Sequence, residues 1–192
     1  MKKYFIPIFI LLSSTNLSSS RCATSNLCID EKIIYENKLE IKVEKYFKDY
    51  SEKCQIYLNR RCFKGTPLTG KILSDCAKET YIEKGILIPL ELVLSQAQME
   101  SHMGTKGKSC VNNPFNVGEY DHRTALKYYK TEEGVQAYFN LIASDYLSTK
   151  EVDELLQNFT NSEDKRYASS RSYERKIRKQ FKFIKKYIKK RC

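Results

Sequence analysis

Glu100 closes the apolar stretch Leu92-Val93-Leu94-Ser95-Gln96-Ala97-Gln98-Met99-Glu100-Ser101-His102-Met103-Gly104. An Asn112-Asn113-Pro114-Phe115-Asn116-Val117-Gly118 turn signal follows shortly after. Leu90, Val93, Leu94, Ala97 and Glu100 fall at i, i+3, i+4, i+7 and i+10, so the carboxyl group shares the stripe that a helix buries. A carboxylate on such a face is costly unless it is paired or neutral. Desolvation favours its protonated form, and an acid that keeps its proton suits general-acid chemistry such as cleavage of a glycosidic bond. The bland alternative is a surface ion pair from Glu100 to Lys106 or Lys108, and the helix pattern alone leaves the two about even.

The elements that must position this acid are helical. Pro89 opens its helix, Glu91 suits the positive helix start, and Gly104 ends it. An amphipathic helix is expected over 71–84, stopped by Gly85. Another runs from Thr131 to about Leu147, with Val135, Tyr138, Phe139 and Ile142 on one face. A short one covers 150–159. The last begins near Ser172 and repeats Ile177, Phe181, Ile184 and Ile188 at helical spacing. Residues 31–63 read as helical. The Gly/Pro/Thr cluster 64–70 is a loop signal and the expected boundary between an N-terminal extension and the main domain. Residues 105–130 read as loop with a short hairpin. The expected architecture is mostly α, with little or no sheet.

The chain has 192 residues, enough for one medium domain and an extension. Lys2-Lys3, an apolar run to Leu12 and a Ser-rich stretch read as a secretory signal over residues 1–20; the run is shorter than the roughly 20 apolar residues a membrane span needs. Export agrees with seven cysteines that form no C-x-x-C pair and with only two histidines, a set that suits disulfides rather than a metal site. If Cys22 leaves with the signal, six cysteines allow three bridges. The net charge of +11 concentrates between Arg171 and Arg191, where eleven bases face Glu174 alone. Such a face attracts anionic wall polymers or lipid head groups; no specific nucleic acid is expected.

Four separate stretches carry a resemblance. Pro89 to Gly104 looks like the helix "pslllAQaalESgwG", Asn112 to Val117 looks like "NNLFgi", and Tyr129 to Tyr138, with Glu133 between, resembles "F..Y.s..es..dY". Downstream, Tyr167-Ala168-Ser169-Ser170-Arg171-Ser172-Tyr173 resembles "YAtdpnYa.ki". Together, over roughly residues 71–188, they resemble the N-acetylglucosaminidase family of peptidoglycan hydrolases in the lysozyme superfamily, which includes the flagellar rod-cap hydrolase and Bax-like proteins. The resemblance implies a lysozyme-like α domain over 71–192, behind a helical extension over 24–70. It makes Glu100 the general acid. Asn113 and Phe115 would shape the cleft floor, and Tyr167 would lie near the acid, stabilising charge or a substrate N-acetyl group. Tyr173 reads instead as a core aromatic. Ser101, His102 and Tyr138 are the further substrate-side residues, His102 standing where the family often carries a sugar-stacking Trp. No metal or cofactor is implied.

The family's β-hairpin lobe is reduced to Gly118–Lys130, and Pro114 replaces its usual Leu. Glu119 and Asp121 are the carboxylates available there for the base of an inverting mechanism, which needs about 6.5–9.5 Å between the two groups. The substrate's own N-acetyl group is the other candidate for that role. The expected function is hydrolysis of β-1,4 bonds in peptidoglycan glycan strands at N-acetylglucosamine. Two rivals stand beside it. One is a lytic transglycosylase, which forms 1,6-anhydro-muramyl ends with one acid; the other is a non-catalytic wall- or membrane-surface-binding module.

Overall fold

The computed structural model describes residues 25–106, 112–118 and 127–192. Six α-helices account for most of them: α1 (Ser25–Leu58), α2 (Gly70–Lys84), α3 (Leu90–Ser101), α4 (Thr131–Leu141), α5 (Val152–Gln157) and α6 (Tyr173–Lys189). A 3-10 turn, Arg61–Phe63, follows α1, and a π-helical segment, Ile142–Tyr146, continues α4. Among the described residues there is no named strand, only one antiparallel bridge between Thr160 and Arg166. The mostly α expectation holds for these residues; a hairpin within 105–130 falls largely outside them. No helix among them is long and apolar enough to cross a membrane.

The chain divides into two compact units, Met1–Tyr46 and Phe47–Cys192. The described part of the first is the opening of α1, a charged stretch with Ile41 exposed. The second begins inside α1, so the loop signal at 64–70 does not separate two packing units. Phe47, Tyr50, Cys54, Tyr57 and Leu58 form a regular helical stripe, and all are buried. Polar contacts tie that half of α1 down. Tyr50 donates to the carbonyl of Ile88 (3.4 Å), and Ser74 Oγ donates to that of Phe47 (2.6 Å). Gly70 opens α2 against α1 so closely that a Cβ there would sit 2.1 Å from the Ser51 carbonyl oxygen. The loop is real, but it joins two elements of one body.

Local signals set the helix ends. Thr69 caps α2, its side chain accepting from the Ile72 N–H (3.1 Å), and Gly85 ends it in the left-handed region. α3 starts after Pro89 as expected, and Leu90, Val93, Leu94 and Ala97 are buried. Val135, Tyr138, Phe139 and Ile142 form the core face of α4 and its π extension. In α6, Ile177, Ile184 and Ile188 face inward, while Arg175, Lys179, Lys182, Lys186 and Lys189 are exposed. Gln180 reaches from α6 to Gln98 Oε1 (2.6 Å), which also accepts from Tyr57 (2.6 Å), so one polar cluster pins α1, α3 and α6.

Of the seven cysteines, Cys22, Cys28 and Cys110 lie outside the residues whose side chains the structure describes. Cys54, Cys62, Cys76 and Cys192 are free thiols, the first and third buried, the others exposed. Cys54 and Cys76 act as small apolar core residues of α1 and α2.

Candidate active site

Glu100 lies in the last turn of α3, half-buried. After it the backbone turns through three successive left-handed residues: His102 (φ 51°), Met103 (φ 63°) and Gly104 (φ 74°). Only the glycine takes that conformation without cost, so the surrounding contacts must impose it on the other two. The contacts are present. Met103 N–H donates to the Ala97 carbonyl (2.9 Å), Thr66 Oγ1 donates to the Met103 carbonyl (2.5 Å), and Met103 itself is fully buried. The helix therefore stops one residue past the acid rather than running on to Gly104.

The Asn112–Gly118 turn packs beneath this end. Ser101 Oγ donates to the Pro114 carbonyl (2.5 Å) and accepts from the Gly104 N–H (2.7 Å). Asn113 closes the turn on Val117: its Nδ2 donates to the Val117 carbonyl (3.0 Å) and its Oδ1 accepts the Val117 N–H (2.8 Å). Asn116, itself left-handed at φ 51°, donates from Nδ2 to the Glu100 carbonyl (2.9 Å). Gly134 lets α4 approach: a Cβ there would lie 2.0 Å from the Asn112 carbonyl oxygen. Phe115 is buried and stacks on Tyr138, with centroids 3.7 Å apart and planes at 10°.

Tyrosines converge on the carboxyl group from the interior. Tyr173 Oη donates to Glu100 Oε1 (3.2 Å) and accepts from Gln96 Nε2 (3.2 Å); Tyr138 Oη donates to Gln96 Oε1 (2.6 Å). Tyr167 stacks on Tyr173 (5.7 Å, 27°), and its hydroxyl donates to the Phe115 carbonyl (3.4 Å). Phe159 and Tyr146, the latter placed by the π-helical segment, meet Tyr167 edge-on. Burial pushes the hydroxyls of Tyr138, Tyr167 and Tyr173 well above the ordinary tyrosine value, and the charge of Glu100 adds to this in all three. All three stay protonated at neutral pH and can serve as donors.

The structure gives each expected site residue its contacts. Tyr173, read from the sequence as a core aromatic, is the tyrosine that touches the acid; Tyr167 stands behind it. Ser101, Asn113, Phe115 and Tyr138 are buried, and the hydrogen bonds of Ser101, Asn113 and Tyr138 described above run to other parts of the chain, where they support the end of α3 that carries the acid. His102 remains half-exposed, but its ring packs edge-on against Phe63 (5.1 Å) and its Nε2 meets the Cys62 carbonyl (3.1 Å). Glu119 and Asp121 lie outside the described residues. Gln96 and Asn116 were not singled out in the sequence. Gln96, a polar residue on a fully buried stretch of an apolar helix, was the available signal.

Two further features bound the site. Arg166 grips both oxygens of Glu174 (2.7 and 2.8 Å), clamping the 160–172 loop to the first turn of α6 beside Tyr173. Tyr129 is 93% exposed, its backbone N–H fixed on Glu133 Oε2 (3.0 Å), while Asn112 Nδ2 holds the Tyr128 and Tyr129 carbonyls (3.0 Å each). A cavity of about 400 Å³ opens elsewhere, between Thr69, Ile72, Asp75, Cys76, Glu79 and Glu132; Glu100 is not in its lining. Among the described residues no cluster of His, Cys, Asp and Glu is arranged to hold a metal ion. Neither the models of known protein families nor the curated proteins contain a match to this chain.

Proposed function

We propose that the chain is an exported glycoside hydrolase that cleaves β-1,4 bonds of peptidoglycan at N-acetylglucosamine, with Glu100 as general acid. The observation that supports this reading is a half-buried carboxyl group at a tightly turned helix end, oriented from inside by the Tyr173 hydroxyl. In the reaction Glu100 gives its proton to the leaving glycosidic oxygen as the bond to the anomeric carbon breaks. Water adds to that carbon and loses a proton, assisted by Glu119, Asp121 or the substrate's acetamido oxygen. The exposed bases of α6 would hold the enzyme on an anionic wall polymer or on lipid head groups.

The lytic transglycosylase is the second reading. It is favoured by the convergence of Tyr138, Tyr167 and Tyr173 on one acid, because that reaction needs one acid and no attacking water. Digestion of purified peptidoglycan, with mass spectrometry of the muropeptides and a Glu100→Gln control, separates the readings. Reducing N-acetylglucosamine ends that the control lacks support the hydrolase. Anhydro-muramyl ends assign the transglycosylase. No new ends from the wild type, with wall binding kept, leave a binding module.

A further inference from the structure

The geometry points to a one-way hydrogen-bond chain, Tyr138 to Gln96 to Tyr173, that fixes Glu100 Oε1 as an acceptor and so orients the carboxyl group. This rests on Glu100 being the reacting acid, and it makes Tyr138, Gln96 and Tyr173 positioning residues.

The direction of the chain follows from the hydrogens available. Tyr138 is fully buried, and its one hydroxyl hydrogen goes to Gln96 Oε1 at 2.6 Å. A buried hydroxyl needs an acceptor, so the Gln96 amide keeps its oxygen on that side. Its Nε2 then faces the oxygen of Tyr173 at 3.2 Å. With an N–H on that oxygen, the Tyr173 hydrogen turns to Glu100 Oε1, also at 3.2 Å. Turning the amide over would set the Tyr138 hydrogen against an NH2 group, and would point a Tyr173 lone pair at the carboxylate. A proton on Oε1 would place two hydrogens between the same two oxygens. The titratable groups that the described elements bring to Glu100 include Tyr138 from α4, Tyr167 from the loop before α6 and Tyr173 from α6; burial raises the proton affinity of all three.

The test is a carboxyl 13C NMR titration of the full chain carrying labelled glutamate, with the Glu100 signal assigned through Glu100→Gln. Tyr173→Phe removes the last link of the chain. Tyr138→Phe keeps the ring that stacks on Phe115 and removes the first link, freeing the amide to turn. Both variants are expected to raise the Glu100 titration midpoint, because each weakens donation to the ionised form. A Tyr138→Phe protein that is folded and melts lower but leaves the midpoint where it was would overturn the chain. So would an unmoved midpoint in Tyr173→Phe, which also serves if Tyr138→Phe does not fold. No substrate enters the titration. A midpoint that rises as expected in a protein that releases no muropeptide ends would keep this inference and sink the hydrolase.

Discussion

At the scale of single residues, the site is one carboxyl group and the atoms that aim it. Tyr167 and Tyr173 stack on each other, yet only Tyr173 reaches Glu100. Tyr173→Phe is accordingly expected to cut kcat on peptidoglycan by about tenfold or more, the scale on which hydrogen bonds to charged groups act. Tyr167→Phe, which loses only a long bond to a carbonyl, is expected to stay within about threefold of wild type by the same scale. The reverse order in a kinetic comparison would return the role to Tyr167. The sequence could not separate these two tyrosines: a phenol ring on a buried helix face packs alike whether or not its hydroxyl meets an acid 73 positions away. Tyr129 is a different case. Its exposed ring can stack on a sugar without touching the chemistry, so Tyr129→Ala is expected to raise KM and leave kcat near wild type. A fall in kcat at unchanged KM would count against it.

At the scale of elements, the acid depends on two close approaches. Gly134 lets α4 rest on the Asn112–Gly118 turn, and that turn in turn holds the Glu100 carbonyl through Asn116. Gly134→Ala drives a methyl group into a backbone oxygen, which must shift. The expected cost is about 1–3 kcal/mol in urea unfolding, with activity falling further than stability because the Asn116 contact moves. The second approach is the Arg166 clamp on Glu174. Burial works against the Glu174 carboxylate, but the Arg166 hydrogen bond and charge, with backbone N–H donors, hold it below the ordinary value of 4.5. The clamp therefore stabilises the fold above about pH 4.5 and is lost as pH falls through the lower folded value. Arg166→Ala is expected to flatten the acid limb of a stability-against-pH curve, measured by circular dichroism. Helix positions were readable from the sequence because the stripes at 90–100, 135–142 and 177–188 are regular. The left-handed turn at His102–Met103 was not, since neither residue favours that conformation and only distant contacts from Thr66 and Ala97 impose it.

At the scale of the molecule, the packing unit starts at Phe47. A chain beginning at Val43 is expected to fold with a melting temperature close to that of the full chain. A chain beginning at Lys71 loses the buried stripe from Phe47 to Leu58 and is expected to show no cooperative transition. A cooperative melt from the shorter chain would restore the boundary at 64–70. Gly and Pro report a turn in the backbone at 64–70 and say nothing about whether its two sides share a core. The buried hydroxyls also give the whole fold an alkaline limit. Tyr57 is pushed up to about 12, mainly by burial, and Tyr138, Tyr167 and Tyr173 lie well above 10.0. The unfolded chain ionises these groups first, so stability is expected to hold below about pH 10 and fall as pH climbs from there. Urea unfolding at stepped alkaline pH would show it, and a flat response to pH 12 would contradict it.

The free thiols give this protein internal clocks. Cys54 sits in the buried half of α1 and Cys76 in α2, and burial holds the first thiol far above its ordinary range and the second at about 12. Neither can react with an alkylating reagent until its helix lifts away, whereas Cys62 and Cys192 are open to it. The lag before Cys54 and Cys76 are labelled would time the opening of α1 and α2 separately, and would tell whether the two helices breathe as one piece or two.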